Sequence, residues 1–590
     1  MAEKEEGQTK SPGPLRRRLV NLASHPYLRE GTYLVVISVV VGLATALSCV
    51  LFLSTLKWIT WLSFESWQPA LYPFGTYLTF LPPVLGGLVL GWGVYRIARE
   101  ARTFDVPDVM EAIALKGGRI SGFVSAMRGL SVTVTLGSGG SGGQIGPVVQ
   151  LGAGVGSTLG QFLKMSDQRV ITLAACGAAA GVAATLNAPI AGAMFALEIL
   201  VGHFTADFSL IILSSVTAAI VSRSMLGNFP AFLVPAYDLV SAKEMLLYAF
   251  LGILAGLAAV VFVRVLYLCE DLFGRLRFRE VFKPALGGLC VGLLGLATPG
   301  IYGTGMRVVE DGLNGRMALS ALLLLFCAKL VATPLTLGSG GSGGVFAPSL
   351  FLGAMLGGAY GHTVNMLFPA FTAKPGAYAL VGMGALFGGA AQAPITAIII
   401  LFEMTGDYRI ILPIMVTTGM SVLIYHVLNE ETIYTLKLKR RGIRFRAGRD
   451  LDVMASVPVG KALTHRLLWV PEEMTVEGFR ERSAKEHHEW FPVLNQSGEL
   501  TGVVTAQDMQ KALDNGDLLA TVGELATKDL VTVTPDHTLQ DVLVRFHVRD
   551  LGHLPVVDPD NPRKLVGIIS RLHVIRAYNR ALTDKHRADL

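Results

Sequence analysis

Of the 590 residues, 52% are hydrophobic and only 16% are charged, and the mean hydropathy is +0.51. Soluble domains carry about 25% charge, so these figures exclude a wholly soluble protein and place most of the chain in lipid. The formal net charge of +6 is modest, and its basic runs have no interleaved aromatic residues, which excludes nucleic acid as a partner.

Residues 1–30 form a polar segment, expected in the cytoplasm, with an amphipathic stretch at Leu15 to Leu22 and a charged start that does not read as a cleavable signal peptide. Apolar segments follow from 33–57 through to 410–428. Several are shorter than the ~20 residues a spanning helix needs. Many contain prolines: Pro82-Pro83, Pro147, Pro189, Pro334, Pro348 and Pro394. Interrupted helices survive in a membrane only where the freed backbone faces protein or an aqueous cavity, so the pattern favours a transporter or channel. The 66 glycines fit close helix packing. Cys49, Cys176, Cys269, Cys290 and Cys327 read as small buried hydrophobes without disulfide or metal-ligand spacing, and no metal site is expected.

One string, Gly-Ser-Gly-Gly-Ser-Gly-Gly, opens at Gly137 and again at Gly338, 201 residues later, each time behind a Thr-Leu pair. Glycine-rich turns ahead of a helix expose backbone N–H groups that hold anions. Asn187-Ala188-Pro189-Ile190, leading to Glu198, matches Gln392-Ala393-Pro394-Ile395, leading to Glu403. The prolines and the glutamates share a spacing of 205 residues. The membrane region is therefore duplicated, with repeats over about 33–226 and 244–428. Arg128 and Lys329 precede the two strings by nine residues each and can bias a vestibule positive.

Basic runs at Arg16-Arg17-Arg18 and over Lys437 to Arg441 flank the apolar region. The positive-inside rule puts both termini in the cytoplasm, and the runs read as solvated faces or headgroup anchors. Residues 437–450 are expected to be a basic linker. Residues 451–590 are soluble in character and repeat internally, Leu500 to Asp508 recurring at Leu565 to His573. Each unit reads as an extended segment, a helix, a strand ending in Pro-Val (Pro492-Val493, then Pro555-Val556-Val557), a second strand and a helix.

These motifs resemble the CLC family of chloride channels and anion/proton exchangers over residues 31–436, with a tail that resembles a tandem CBS pair. The resemblance implies an all-α polytopic membrane domain of two inverted helical repeats with broken helices, plus an α/β cytoplasmic CBS pair. It also implies a homodimer with one pore per subunit and, in a prokaryote, residence in the inner membrane. The family's second anion-path motif, Gly-(Arg/Lys)-Glu-Gly-Pro, falls on Gly143-Gln144-Ile145-Gly146-Pro147. Its third, Gly-x-Phe-x-Pro, is matched in full by Gly344-Val345-Phe346-Ala347-Pro348, and its tyrosine by Tyr434. Its first, normally bearing a serine, lands on Phe104 and Asp105 and keeps only Val106-Pro107. Phe104, Val106, Gly143, Ile145, Gly146, Val345, Phe346, Ala347 and Tyr434 are accordingly the expected anion path. Phe104 cannot donate a hydrogen bond and suggests a hydrophobic constriction.

The family's exchangers carry proton-handling glutamates where this chain has Ile145 and Ile199. An aliphatic side chain carries no proton at any pH, so the resemblance implies an uncoupled channel for chloride-like anions. A coupled exchanger would need a substitute acid, with Glu111, Glu198 and Glu403 as candidates. A CBS-regulated magnesium transporter is a further alternative, opposed by the lack of intramembrane acid clusters. No catalytic residues and no required cofactor are expected. In the tail, Thr505 and Asp508 match the family's pattern for an adenine nucleotide, while His573 replaces the acid in the second unit.

Overall fold

The computed structural model describes residues 26–66, 78–94, 105–202, 207–227, 235, 237, 240–406, 408–441, 454, 457–464, 468–486, 490–505, 508, 511–512, 520–549 and 551–588. Phe104 and the segment 15–22 lie outside these. The chain divides into two compact units at residues 445/446.

The first half of the membrane unit holds α1 (Pro26–Thr60), α2 (Leu81–Leu88), α3 (Asp105–Leu115), α4 (Gly122–Gly137), α5 (Ile145–Phe162), α6 (Asp167–Leu186), α7 (Pro189–Phe195) and α8 (Phe208–Leu226). The second half holds α9 (Glu244–Arg275), α10 (Lys283–Ala297), α11 (Met306–Leu313), α12 (Leu319–Gly338), α13 (Phe346–Leu367), α14 (Pro375–Ala391), α15 (Pro394–Thr405) and α16 (Ile411–Leu428). Each helix of the first half is matched by the one eight places later, as two copies of one repeat require. Seven helices among the described residues are long and apolar enough to cross a membrane. The prolines read as interruptions open helices, at Pro189 and Pro394 for example, where a missing N–H costs nothing. Pro334 lies inside α12.

Glycine sets the closest packing. A Cβ on Gly152 of α5 would stand 2.1 Å from the Gly177 carbonyl oxygen of α6, and one on Gly177 would stand 2.0 Å from the Gly152 oxygen. The second half repeats this contact with Gly353 of α13 and Gly382 of α14, at 2.3 and 2.5 Å. Only glycine lets these backbones touch. Of the cysteines, Cys49 and Cys176 are buried, whereas Cys269 and Cys290 are half-buried and Cys327 is exposed. The expectation of burial therefore fails for three of them: a thiol on the outer face of a spanning helix meets lipid as readily as an apolar side chain does. All five are free.

In the second unit, β1 (Val470–Pro471), α18 (Val476–Glu486), β2 (Trp490–Leu494) and β3 (Leu500–Thr505) precede α19 (Val522–Leu525), α20 (Leu539–Arg549), β4 (His553–Val557), β5 (Leu565–Ser570) and α21 (Arg571–Ala588). β2 lies between β1, parallel, and β3, antiparallel; β4 and β5 pair antiparallel. Each Pro-Val pair lies inside its strand, with Pro492 opposite Val503 and Pro555 opposite Ile568. Trp490 and His553, equivalent positions of the two repeats, stack with centroids 5.5 Å apart.

Candidate functional site

The two glycine strings meet. Gly143 and Gly344 exchange both backbone hydrogen bonds at 2.7 Å. The Ser141 N–H donates to the Thr336 hydroxyl at 3.0 Å, and the Ser342 N–H donates to the Thr135 hydroxyl at 3.2 Å. Such reciprocal exchange between equivalent positions is the signature of a local two-fold axis. Gly139 and Gly340 take φ of 101° and 96°, a region L side chains avoid, so the turns need glycine there. α5 and α13 begin directly after this junction.

Beside it is a cavity of about 20 Å³, enough for one water-sized species. Its wall includes Val106 and Pro107 of α3, Gly146 of α5, and Gly343 to Phe346 leading into α13. Leu266 and Tyr267 of α9 and Ile433-Tyr434 complete it. The first N–H groups of α13 lack intrahelical acceptors, and the helix end carries about half a positive charge. Tyr434 is 3% exposed, and its hydroxyl has no hydrogen-bond partner among the described residues. Phe346 is held by the Phe387 ring, centroids 4.4 Å apart. The site is thus neutral, made of backbone dipoles and two phenols, of which Tyr267 is committed to the Ile433 carbonyl, and suits a weakly hydrated anion.

The structure brings Val106, Gly146, Val345, Phe346 and Tyr434 onto this wall. Gly143 lies one hydrogen bond behind it, and Ala347 follows Phe346 in the first turn of α13. Ile145 is wholly buried in the apolar core at the first position of α5, and its side chain does not line the cavity. Ile199 is buried in the π-helical continuation of α7 (Ala196–Val201). Tyr267 is a lining residue the sequence did not suggest. It sits mid-helix with no local motif, and only its hydroxyl's bond to the Ile433 carbonyl at 2.9 Å reveals its place.

The acids considered as proton carriers are all engaged. Glu198 accepts from the Ile395 and Thr396 N–H groups at 3.2 and 2.7 Å and from the Thr396 hydroxyl at 2.6 Å. Glu403 reciprocates on the other half, accepting from Ile190 N–H at 3.0 Å and Ala191 N–H at 2.6 Å. Glu111 pairs with Lys116 at 2.7 Å and Arg441 at 3.1 Å. A further acid, Glu244 at the start of α9, is wholly buried and accepts from Ala373 N–H at 2.6 Å and the Tyr378 hydroxyl at 2.7 Å.

Arg128 and Lys329 do not face a vestibule. Arg128 is buried against Asp108 at 2.7 Å. Lys329 is wholly buried and donates to the Ile301 and Gly303 carbonyls, both at 2.9 Å. The basic run after Tyr434 departs from the reading as a solvated linker. Its first part forms α17 (Thr435–Arg440). Lys437 pairs with Glu270, Arg440 forms a two-point pair with Asp271 at 2.8 Å, and Arg441 reaches Asp108 at 2.5 Å. Opposed acids on α3 and α9, invisible as neighbours in sequence, draw these cations in.

In the second unit Asp508 accepts from the Thr505 N–H at 3.0 Å and its hydroxyl at 2.7 Å. Ser570 and His573 form the equivalent closure, the Ser570 N–H donating to His573 Nδ1 at 3.2 Å. Among the described residues no group of three or more His, Cys, Asp or Glu side chains could hold a metal.

Comparison with known proteins agrees with this architecture. A sequence model described as voltage gated chloride channel matches residues 86–426, and the CBS domain model matches 459–515 and 522–580. A putative chloride channel protein ClcB-like of Ralstonia nicotianae is 38% identical over 60% of this chain and 83% of its own length. An H(+)/Cl(-) exchange transporter ClcA of Vibrio campbellii is 37% identical over 52% of this chain and 67% of its own. The fold matches the crystal structure of a eukaryotic CLC transporter with a TM-score of 0.72 and 20% identity, covering 92% of this chain and 97% of that one.

Proposed function

The chain belongs to the voltage gated chloride channel family, a family of anion transport proteins of the membrane, and on that premise we propose that it is an uncoupled channel for chloride-like anions. The observation that carries this reading is the pair of aliphatic residues, Ile145 and Ile199, both buried where the family's exchangers hold proton-carrying glutamates. Support comes from the hydrogen bonds and ion pairs that occupy Glu111, Glu198 and Glu403, because an acid that serves as a helix cap or a salt-bridge partner loses those bonds when it protonates. Coupled exchange is the second reading, favoured by the 37% identity to a protein named as an exchanger.

In the channel the anion is held by the backbone N–H groups of Phe346 and Ala347 and the Tyr434 hydroxyl. Val106, Gly146 and Val345 shape the passage. The working form is a homodimer with one pore per subunit, both termini in the cytoplasm, joined through lipid-exposed apolar faces such as Ile220 of α8, 62% exposed, and Val427 of α16, 74% exposed. The CBS pair regulates it, binding one adenine nucleotide at Thr505 and Asp508.

Reversal potentials of the reconstituted protein under crossed chloride and pH gradients test the reading. We expect the potential to follow the chloride gradient alone, and Ile145→Glu to reduce the flux and make it pH-dependent. A potential that moves with pH at fixed chloride means coupled exchange.

A further inference from the structure

A second cavity, of about 480 Å³, opens where α9, α16 and α17 meet, within the ~300–1,000 Å³ range of small-molecule sites. It shares the Tyr267 side chain with the first cavity. That ring is a closed partition: its hydroxyl is bonded to Ile433, and the Arg440 guanidinium lies 4.7 Å over its face. Val263, Leu268, Leu428 and Leu436 give the second cavity an apolar wall.

Its charges do not all cancel locally. Arg440 is committed to Asp271, and Lys439 lies 3.3 Å from Glu431. Two lining charges remain. Arg264 is exposed to the cavity and has no ion pair or hydrogen bond among the described residues. Glu430 is 80% exposed, with Lys439 no nearer than 4.0 Å.

Depth along the helix identifies what meets Arg264. At ~1.5 Å per residue, it stands ~30 Å along α9 from Glu244, one hydrocarbon thickness, and ~16 Å before the helix ends. An arginine at that level reaches the phosphate plane of the leaflet in which α9 ends. Glu430, just beyond the end of α16, lies farther toward the water. A free inorganic anion would also meet the three carboxylates of the wall, whereas a zwitterion satisfies the one spare cation and the one spare acid.

We propose that this cavity binds the headgroup of an aminophospholipid, its phosphodiester on Arg264, its ammonium on Glu430, and its acyl end along the Val263 and Leu268 wall. The site is separate from the anion path and does not rest on the channel reading.

Native mass spectrometry of the delipidated full-length protein tests the proposal with phosphatidylethanolamine, phosphatidylglycerol and inorganic phosphate as probes. One phosphatidylethanolamine per chain should be retained about tenfold more tightly than phosphatidylglycerol, the size of one charge-assisted hydrogen bond. Glu430→Gln should bring the two lipids level without weakening phosphatidylglycerol. Arg264→Gln should weaken both about tenfold, and Arg264→Lys should keep most of the binding, which separates lost charge from misfolding. Equal retention of the two lipids by the unaltered protein would overturn the ammonium contact. Retention unchanged by Arg264→Gln would overturn the site, and displacement of the lipid by millimolar inorganic phosphate would overturn the lipid as occupant.

Discussion

Glu198 and Glu403 each cap the first turn of a helix in the opposite half, so each carboxylate is committed to backbone N–H groups. Their shared spacing of 205 residues is plain in the sequence. The exchange of partners is not, because each acid's donors lie 197 to 213 residues away in the chain. Arg264, Tyr267 and Glu244 were silent for the same reason, since an isolated polar residue in an apolar run acquires meaning only from what faces it. His573 offers a residue-scale prediction. Burial, and then the nearby Arg576, holds its imidazole below the ordinary 6.5, and the Ser570 N–H donating to Nδ1 requires that nitrogen to be unprotonated. A base depressed in the folded state binds more protons when unfolded, so its stabilising contribution is present above pH 6.5 and is lost as pH falls through its folded value. Protection from hydrogen exchange over residues 565–588 of the full-length protein, taken relative to the intrinsic rate at each pH, should therefore fall below pH 6.5. His573→Asp, which restores the acid of the first repeat, should remove that step, and an unchanged profile would refute the assignment.

At the scale of elements, the glycines that pack α5 on α6 and α13 on α14 are irreplaceable where backbone meets backbone. Gly152→Ala forces a methyl to 2.1 Å from the Gly177 oxygen. We expect it to destabilise the protein by about 3 kcal/mol, the upper end of overpacking costs, read as a lower thermal midpoint of the purified protein. Gly274→Ala, at a helical position with nothing within 4 Å of the new methyl, should instead raise stability by about 0.5–1 kcal/mol. Equal effects would mean that packing is not what selects Gly152. The sequence announces an excess of glycine and twin strings. Which glycine touches which is set by the crossing of helices, and no periodicity encodes that. The basic run after Tyr434 shows the same limit: read alone it is a solvated stretch, but next to Glu270, Asp271 and Asp108 it becomes α17.

For the whole molecule, the division at residues 445/446 separates a membrane unit from a CBS pair whose two repeats differ at Asp508 and His573. Titrating ATP, ADP and AMP against the full-length protein should raise its thermal midpoint with one nucleotide bound per chain, by about 2.7 kcal/mol of stabilisation at a hundredfold excess over the dissociation constant. Asp508→Ala should abolish the shift. No shift with any nucleotide would leave the pair a structural module.

The sequence by itself determined the duplication, the membrane class, the CBS tail and the aliphatic residues at 145 and 199, because repeats, hydropathy and side-chain chemistry are properties of the chain read in order. The tertiary structure decided that the two glycine strings bond to each other, that Tyr267 and Tyr434 share a cavity with Phe346, and that Arg264 has no ion pair or hydrogen bond among the described residues. Those facts depend on segments 200 and more residues apart meeting, the glycine strings around a local two-fold axis, and contact across such distances is fixed by packing rather than by local sequence.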